Sequence, residues 1–243
     1  MRMDDSVTAP HDARRHLARR LLATAVAWGM VAAPAFALTK EEKRLLSCQE
    51  VMEELLAGKE SVPRDLLDKA ECVAVIPSVK KFALGLGGRW GKGAVVCRTT
   101  DDWGPPLMMS LGGGSVGLQI GGQAADYVFL VMNPKGIDYL LRSQFTLGAD
   151  AAVAAGPVGR TGEAATDLRM RAEILSYSRT RGLFAGISLE GAVVKQDKNA
   201  NEKIYGESID PKKLLLQAGY RVPPTALGLV ELLRGVSPRK ALD

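Results

Sequence analysis

The residues able to do chemistry in this chain are few, and they are basic. Lys80, Lys81, Arg89 and Lys92 gather around the first expected strands, Arg160 ends a Gly-Pro turn, and Arg179 and Arg181 lead into a Gly-studded apolar stretch. A cation beside glycine, where backbone N–H groups lie open, suits a phosphate held by charge-assisted hydrogen bonds. The same cations also suit a solvated sheet edge, where charge opposes edge-to-edge pairing.

Other chemistries fail on inspection. Gly112-x-Gly114-x-x-Gly117 spells a dinucleotide-binding turn, yet Val116, Leu118 and Ile120 alternate like a strand where a helix N-terminus must follow. Gly113-x-Ser115-x-Gly117 spells a nucleophile elbow but has no base, because both histidines, His11 and His16, precede residue 38 and no Ser-x-x-Lys is present there. Gly87 to Lys92 misses the phosphate-loop pattern, with Leu86 where its first glycine belongs. Asp197-x-Asn199-x-Asn201 opens like a calcium loop, but Glu202 and Ser208 occupy the positions of its glycine and its bidentate glutamate. A hairpin turn between Lys195 and Ile204 fits that segment better. The expectation is no enzyme, no cofactor and no metal.

Residues 1–37 read as a cleaved export signal. Arg14, Arg15, Arg19 and Arg20 form a basic region, Leu21 to Ala33 an apolar run too short to span a bilayer, and Ala35-Phe36-Ala37 a small-x-small cleavage site. Cleavage after Ala37 lowers the formal charge from +5 to +3 and leaves no histidine, which excludes Ser-His-Asp and Cys-His catalysis. So mild a charge also argues against nucleic acid as a partner. Cys72 and Cys97 suit either a disulfide in an oxidising compartment or, with Cys48, three small buried hydrophobes.

Residues 38–243 are expected to form a single domain. Thr39 and Glu42 form a capping box for a helix through Ala57, and a second helix starts at Pro63. Cys72 to Ile76 reads as a buried strand ended by Pro77. Phe82 to Leu86, Gly93 to Cys97, Leu107 to Leu111, Ser115 to Ile120 and Tyr127 to Met132 read as short strands joined by turns. A helix is expected over Lys135 to Phe145, a strand over Leu147 to Ala155, a loop over Arg160 to Met170, one long strand over Leu183 to Lys195, and helices over Pro211 to Ala218 and Thr225 to Leu233. The fold class is α+β: a twisted, largely antiparallel Gly-rich β-sheet with flanking helices at both ends.

The least generic stretch is Tyr177-Ser178-Arg179-Thr180-Arg181-Gly182-Leu183-Phe184-Ala185-Gly186-Ile187-Ser188-Leu189-Glu190-Gly191-Ala192. With Trp103-Gly104-Pro105-Pro106, the Gly112 to Gly122 stretch, Thr146-Leu147-Gly148, Ala155-Gly156-Pro157-Val158-Gly159-Arg160 and Asn201 to Tyr205-Gly206, it resembles the SYLF domain, the Ysc84-type actin- and lipid-binding domain. That resemblance implies binding of phosphoinositides and other anionic lipids through an amphipathic N-terminal segment and basic residues, and actin binding in some members. Carried onto this chain, the segment is Thr39 to Ala57, and the basic residues nearest the motifs are Lys80, Lys81, Arg160, Arg179 and Arg181. Two positions depart from the pattern. Gly104 stands where the family has serine, and the helix's polar face carries Glu41, Glu42, Glu50, Glu53 and Glu54 against Lys40, Lys43 and Arg44. An acidic face opposes an anionic bilayer and favours packing on the core.

The resulting expectation is a periplasmic or secreted domain that binds anionic phospholipid headgroups or membrane surfaces through Lys80, Lys81, Arg89, Lys92, Arg160, Arg179 and Arg181. The alternative is an envelope structural or interaction protein that packs its Gly-rich sheet against a protein partner. Actin is not an expected partner, because an exported chain meets it only inside a host.

Overall fold

The Thr39 hydroxyl accepts the Glu42 N–H at 3.2 Å while the Glu42 carboxylate accepts the Thr39 N–H at 2.7 Å, the reciprocal cap that the spacing predicts. Helix α1, Lys40–Ala57, follows and turns Leu45, Cys48, Val51, Met52 and Leu55 into the core. A short α2, Arg64–Lys69, leads to the sheet. The computed structural model describes residues 37–58, 62–100, 102–158, 172–180, 183–217 and 219–238, with the backbone alone for 83–86 and 115–121. The expected export signal, apart from Ala37, and the expected loop at 160–170 lie outside the described residues.

The five short strands expected between Phe82 and Met132 are instead parts of two long ones. Strand β1 runs over Cys72–Cys97 and pairs antiparallel with β2, Leu107–Val131, from Cys72↔Val131 to Val95↔Leu107. Pro77 does not end the strand. It sits in a bulge between Ile76 and Val79, where Ser78 takes a positive φ of 48° and donates its N–H to Asp126 at 2.8 Å. The turns expected between the short strands are instead ladder, glycines included. Gly91 and Gly93 serve close approach: β-carbons there would strike Val79, Ile76 and the Val75 carbonyl, so the end of β1 packs directly on its beginning. The ribbon is thereby curled back on itself, and a Cys72–Cys97 disulfide closes its ends.

Further elements extend the sheet from the other edge of β2, which pairs with β5 and β7. These are α3 (Pro134–Leu141), β3 (Gln144–Thr146), β4 (Val153–Ala155), β5 (Ile174–Thr180), β6 (Leu183–Gly186) and β7 (Val193–Gln196). The sheet order is β3-β7-β2-β5-β4, with β1 on β2 and β6 on β5, and all pairs are antiparallel except β4 with β5. The single long strand expected over Leu183 to Lys195 is two, separated by a turn in which Gly191 has a φ of 77°. Tyr177 to Thr180 belongs to β5, which was not expected, because its serines and arginine look like loop residues. The hairpin turn expected before Ile204 is helix α4, Lys198–Tyr205, capped by the Asp197 side chain. Helices α5 (Pro211–Leu216) and α6 (Leu227–Val236) finish the fold.

The alternation of side chains buries both faces of the sheet. One face sets Val73, Val75, Val96, Met108, Val128 and Leu130 against α1 and α6; the other sets Ile76, Val95, Leu107, Met109, Leu111 and Phe129 against α3 and α5. Double burial is why the strands read as continuous apolar runs. The scattered motifs meet in this frame. The Trp103 indole donates to the Ser237 carbonyl at 2.9 Å, the Asn201 amide clasps both the N–H and the carbonyl of Met108, and the Tyr177 ring lies on Gly156, whose backbone lies on Gly186. This is the expected α+β architecture, with helices at both ends of a curled, mostly antiparallel sheet.

Candidate functional site

Four strands bring one row of polar side chains together. Lys92 on β1 faces Ser110 on β2, Ser110 faces Lys195 on β7, and Lys195 faces Gln144 on β3. Residues directly opposite in antiparallel ladders share a face, so the four point the same way. With adjacent strands about 4.8 Å apart, the two lysines flank Ser110 with their Cα atoms about 10 Å apart, within reach of a single anion. The next row on this face holds Trp90, Gly112 and Val193. Gly112 and Gly113 contribute no side chain, and the result is a groove of about 550 Å³ walled by Trp90 at 55% exposure.

Asp197 fixes one wall. Its Oδ2 accepts Lys92 Nζ at 2.9 Å and Arg44 Nη1 of α1 at 3.1 Å, while Oδ1 accepts the Ala200 N–H at the start of α4. Burial pushes this carboxyl up, but the hydrogen bond and charge of Lys92, with the Ala200 N–H and Arg44, outweigh it and hold the group below the ordinary aspartate value. Asp197, first in the calcium-loop rhythm, is thus a helix cap and an ion-pair hub. Lys195 has no carboxylate within ion-pair distance among the described residues.

The sequence-derived basic residues do not form one cluster. Lys92 enters the groove. Arg89 lies on the opposite side of β1, half-buried, and its Nε finds no hydrogen-bond partner among the described residues. Lys80 and Lys81 stand just past the bulge, paired with Ala124 and Gln123. Arg179 is engaged within the fold: its Nε and Nη2 each meet Asp126 Oδ2 at 2.7 Å, its Nη1 meets Glu54 of α1, and it is 19% exposed. Arg160 and Arg181 lie outside the described residues. Sequence reasoning missed Trp90, Ser110, Gln144 and Lys195 as a group. The only local signal was an aromatic set between a glycine pair and Gly91-Lys92.

The apolar face of α1, the segment implicated in membrane contact by the resemblance, is spent on the core. Among the described residues, three ion pairs fasten the helix along its length: Glu41 to Lys203 at 3.1 Å, Arg44 to Asp197, and Glu54 to Arg179. Among the described residues, no helix is long and apolar enough to cross a membrane.

Known proteins are similar to this sequence. It is 30% identical over 199 residues to Protein YSC84 of Saccharomyces cerevisiae, covering 80% of this chain and 42% of that protein. It is 31% identical over 201 residues to LAS seventeen-binding protein 3 of the same species, covering 80% and 43%. To human SH3 domain-containing YSC84-like protein 1 it is 33% identical over 174 residues, covering 71% and 50%. The chain spans half or less of the length of these curated relatives. The Ysc84 family profile, described as Las17-binding protein actin regulator, matches residues 112–236, half of the chain, and the protein belongs to the Ysc84 family.

Proposed function

We propose that this protein binds the anionic headgroups of phospholipids without catalysing a reaction, and that it does so after export, in the periplasm or outside the cell. The observation that carries the reading is the groove, where Lys92 and Lys195 flank the Ser110 hydroxyl beside an exposed indole. Ammonium groups recognise phosphate as point charges, a hydroxyl and the Gln144 amide add hydrogen bonds, and an indole is at home at the lipid–water boundary. LAS seventeen-binding protein 3 is named for binding, and the family description speaks of binding and of regulation.

Those names also favour a second reading, a protein partner: LAS seventeen-binding protein 3 is named for one. Salt separates the two readings, because exposed charges are screened within about 10 Å at 0.1 M ionic strength, whereas apolar packing is much less sensitive. The test is co-sedimentation of residues 38–243 with phosphatidylcholine vesicles, with and without phosphatidylglycerol, at low and high salt. Pelleting with the anionic vesicles alone, reversed by salt, supports the headgroup reading. Absence from every pellet overturns it.

A further inference from the structure

The outer edge of β2 is occupied at both ends and open between them. β7 pairs with Met109 to Gly112 and β5 with Asp126 to Val131, and among the described residues no strand pairs on that edge from Gly113 to Ala125. Met108 donates its N–H to the Asn201 side chain at 2.7 Å and accepts the Asp197 N–H at 2.9 Å, while Met132 donates its N–H to the Glu173 carbonyl at 2.9 Å, all on the outer side. In an antiparallel ladder every second residue turns its N–H and carbonyl the same way. Counted inward from either end, Gly114, Val116, Gly122 and Ala124 direct theirs to the open edge.

The two strands of this ribbon differ in charge. The part of β1 opposite the open stretch carries Lys80, Lys81 and Arg89, cations of the kind that keep another strand away from an edge. β2 has no charged residue and no proline from Ser110 to Ala125. Gly114, Gly122, Gln123 and Ala124 are exposed, and a β-carbon on Gly114 or Gly122 would meet nothing within 4 Å. An uncharged, uncovered edge with unpaired backbone groups is a template for a further strand.

We infer that the protein dimerises through this edge, the open stretch of β2 pairing antiparallel with the same stretch of a second copy. An antiparallel pair of identical strands is related by a two-fold axis, so the contact closes on a dimer and does not propagate. With the axis near Gln119, Gly114 and Val116 meet Ala124 and Gly122 of the second copy, each with its N–H and carbonyl already turned outward. The ladder with β1 is irregular between Gly117 and Gly121, and the axis falls there, leaving the regular stretches on either side to pair. No like charges meet across this edge, whereas the same operation on β1 would bring the cations of the two copies together. The dimer goes beyond the headgroup reading and does not depend on it.

The experiment is sedimentation velocity of the purified protein without lipid, from low to high micromolar concentration, for wild type and for Gly122→Lys/Ala124→Lys. Wild type is expected to reach the mass of a dimer, and the variant to dimerise tenfold or more weakly with the circular dichroism of wild type. Val116→Pro, which removes an outward N–H and leaves the ladder with β1 intact, is expected to weaken the dimer likewise. Amide hydrogen exchange of wild type needs no variant: the stretch from Gly114 to Ala124 is expected to exchange more slowly as concentration rises. A monomer at every concentration overturns the inference. So does a dimer that the lysine variant leaves intact, which places the contact elsewhere. Protection of this stretch that does not change with concentration also overturns it, and assigns the edge to a segment of the same chain.

Discussion

Gly93 lies directly against the carbonyl of Val75, at the point where the end of β1 packs onto its own beginning. No β-carbon fits there, and the neighbour is backbone, which cannot turn aside as a side chain does. Gly93→Ala is expected to cost about 3 kcal/mol or to prevent folding, at the upper end of overpacking changes. Gly114→Ala, where an added β-carbon meets nothing within 4 Å, is expected to leave the melting temperature almost unchanged. Thermal unfolding of the pair checks both, and similar midpoints would contradict the curled ribbon.

The cysteines divide into two kinds. Cys72 and Cys97 are joined across a sequence separation of 25 residues, whereas Cys48 is free and wholly buried, its thiol pushed up to about 12 by burial. A thiol-reactive dye is therefore expected to find no thiol in the folded oxidised protein, one after unfolding without reductant, and three after unfolding with it. Cys72→Ser/Cys97→Ser is expected to lower stability by about 3 kcal/mol, the loop-closure magnitude for a loop of this size.

Asp197 gives the fold an acid-sensitive joint. Its folded carboxyl titrates below the ordinary value, so its contribution is present at neutral pH and is lost as pH falls through the folded value, below about pH 4. Asp197→Asn is expected to destabilise by about 2 kcal/mol at pH 7, because Lys92 and Arg44 lose their common acceptor. The gap between variant and wild type is expected to narrow between pH 7 and an acid pH below the ordinary aspartate value, as the pH falls through the lowered folded value and the carboxylate is neutralised. Urea denaturation at the two pH values measures it, and a gap independent of pH would contradict the ion-pair assignment.

What could be read from the sequence was what local rules decide. The Thr39–Glu42 cap and the α1 stripe are short-range patterns, and both stand where expected. The strand breaks between Phe82 and Met132 were misjudged because glycine is common both in turns and at close backbone approaches, whereas the ladder runs on through these glycines and Gly93 packs on the Val75 carbonyl. Asp197 was assigned to a turn for a related reason: a side chain that starts a turn also caps a helix. β5 went unseen because Ser176 and Arg179 look solvated, whereas Ser176 bonds the carbonyls of Ala154 and Ile187 and Arg179 is neutralised by Asp126 and Glu54. The groove was half legible. Lys92 stood out beside glycine, but Lys195 reaches it only through the pairing of β7 with β2, 85 residues apart at Ser110.

The most direct test of the account is the partitioning of Lys195→Glu against wild type on phosphatidylglycerol-containing vesicles at low salt. The Lys195 side chain is exposed and has no carboxylate partner among the described residues, so reversing its charge leaves the fold intact. One lysine near an anionic surface contributes about 1 kcal/mol, roughly a fivefold change in affinity, and reversal doubles the change in charge. A loss of tenfold or more, shrinking as salt rises, is the predicted result. Partitioning equal to wild type at every salt concentration would contradict the groove as the headgroup site.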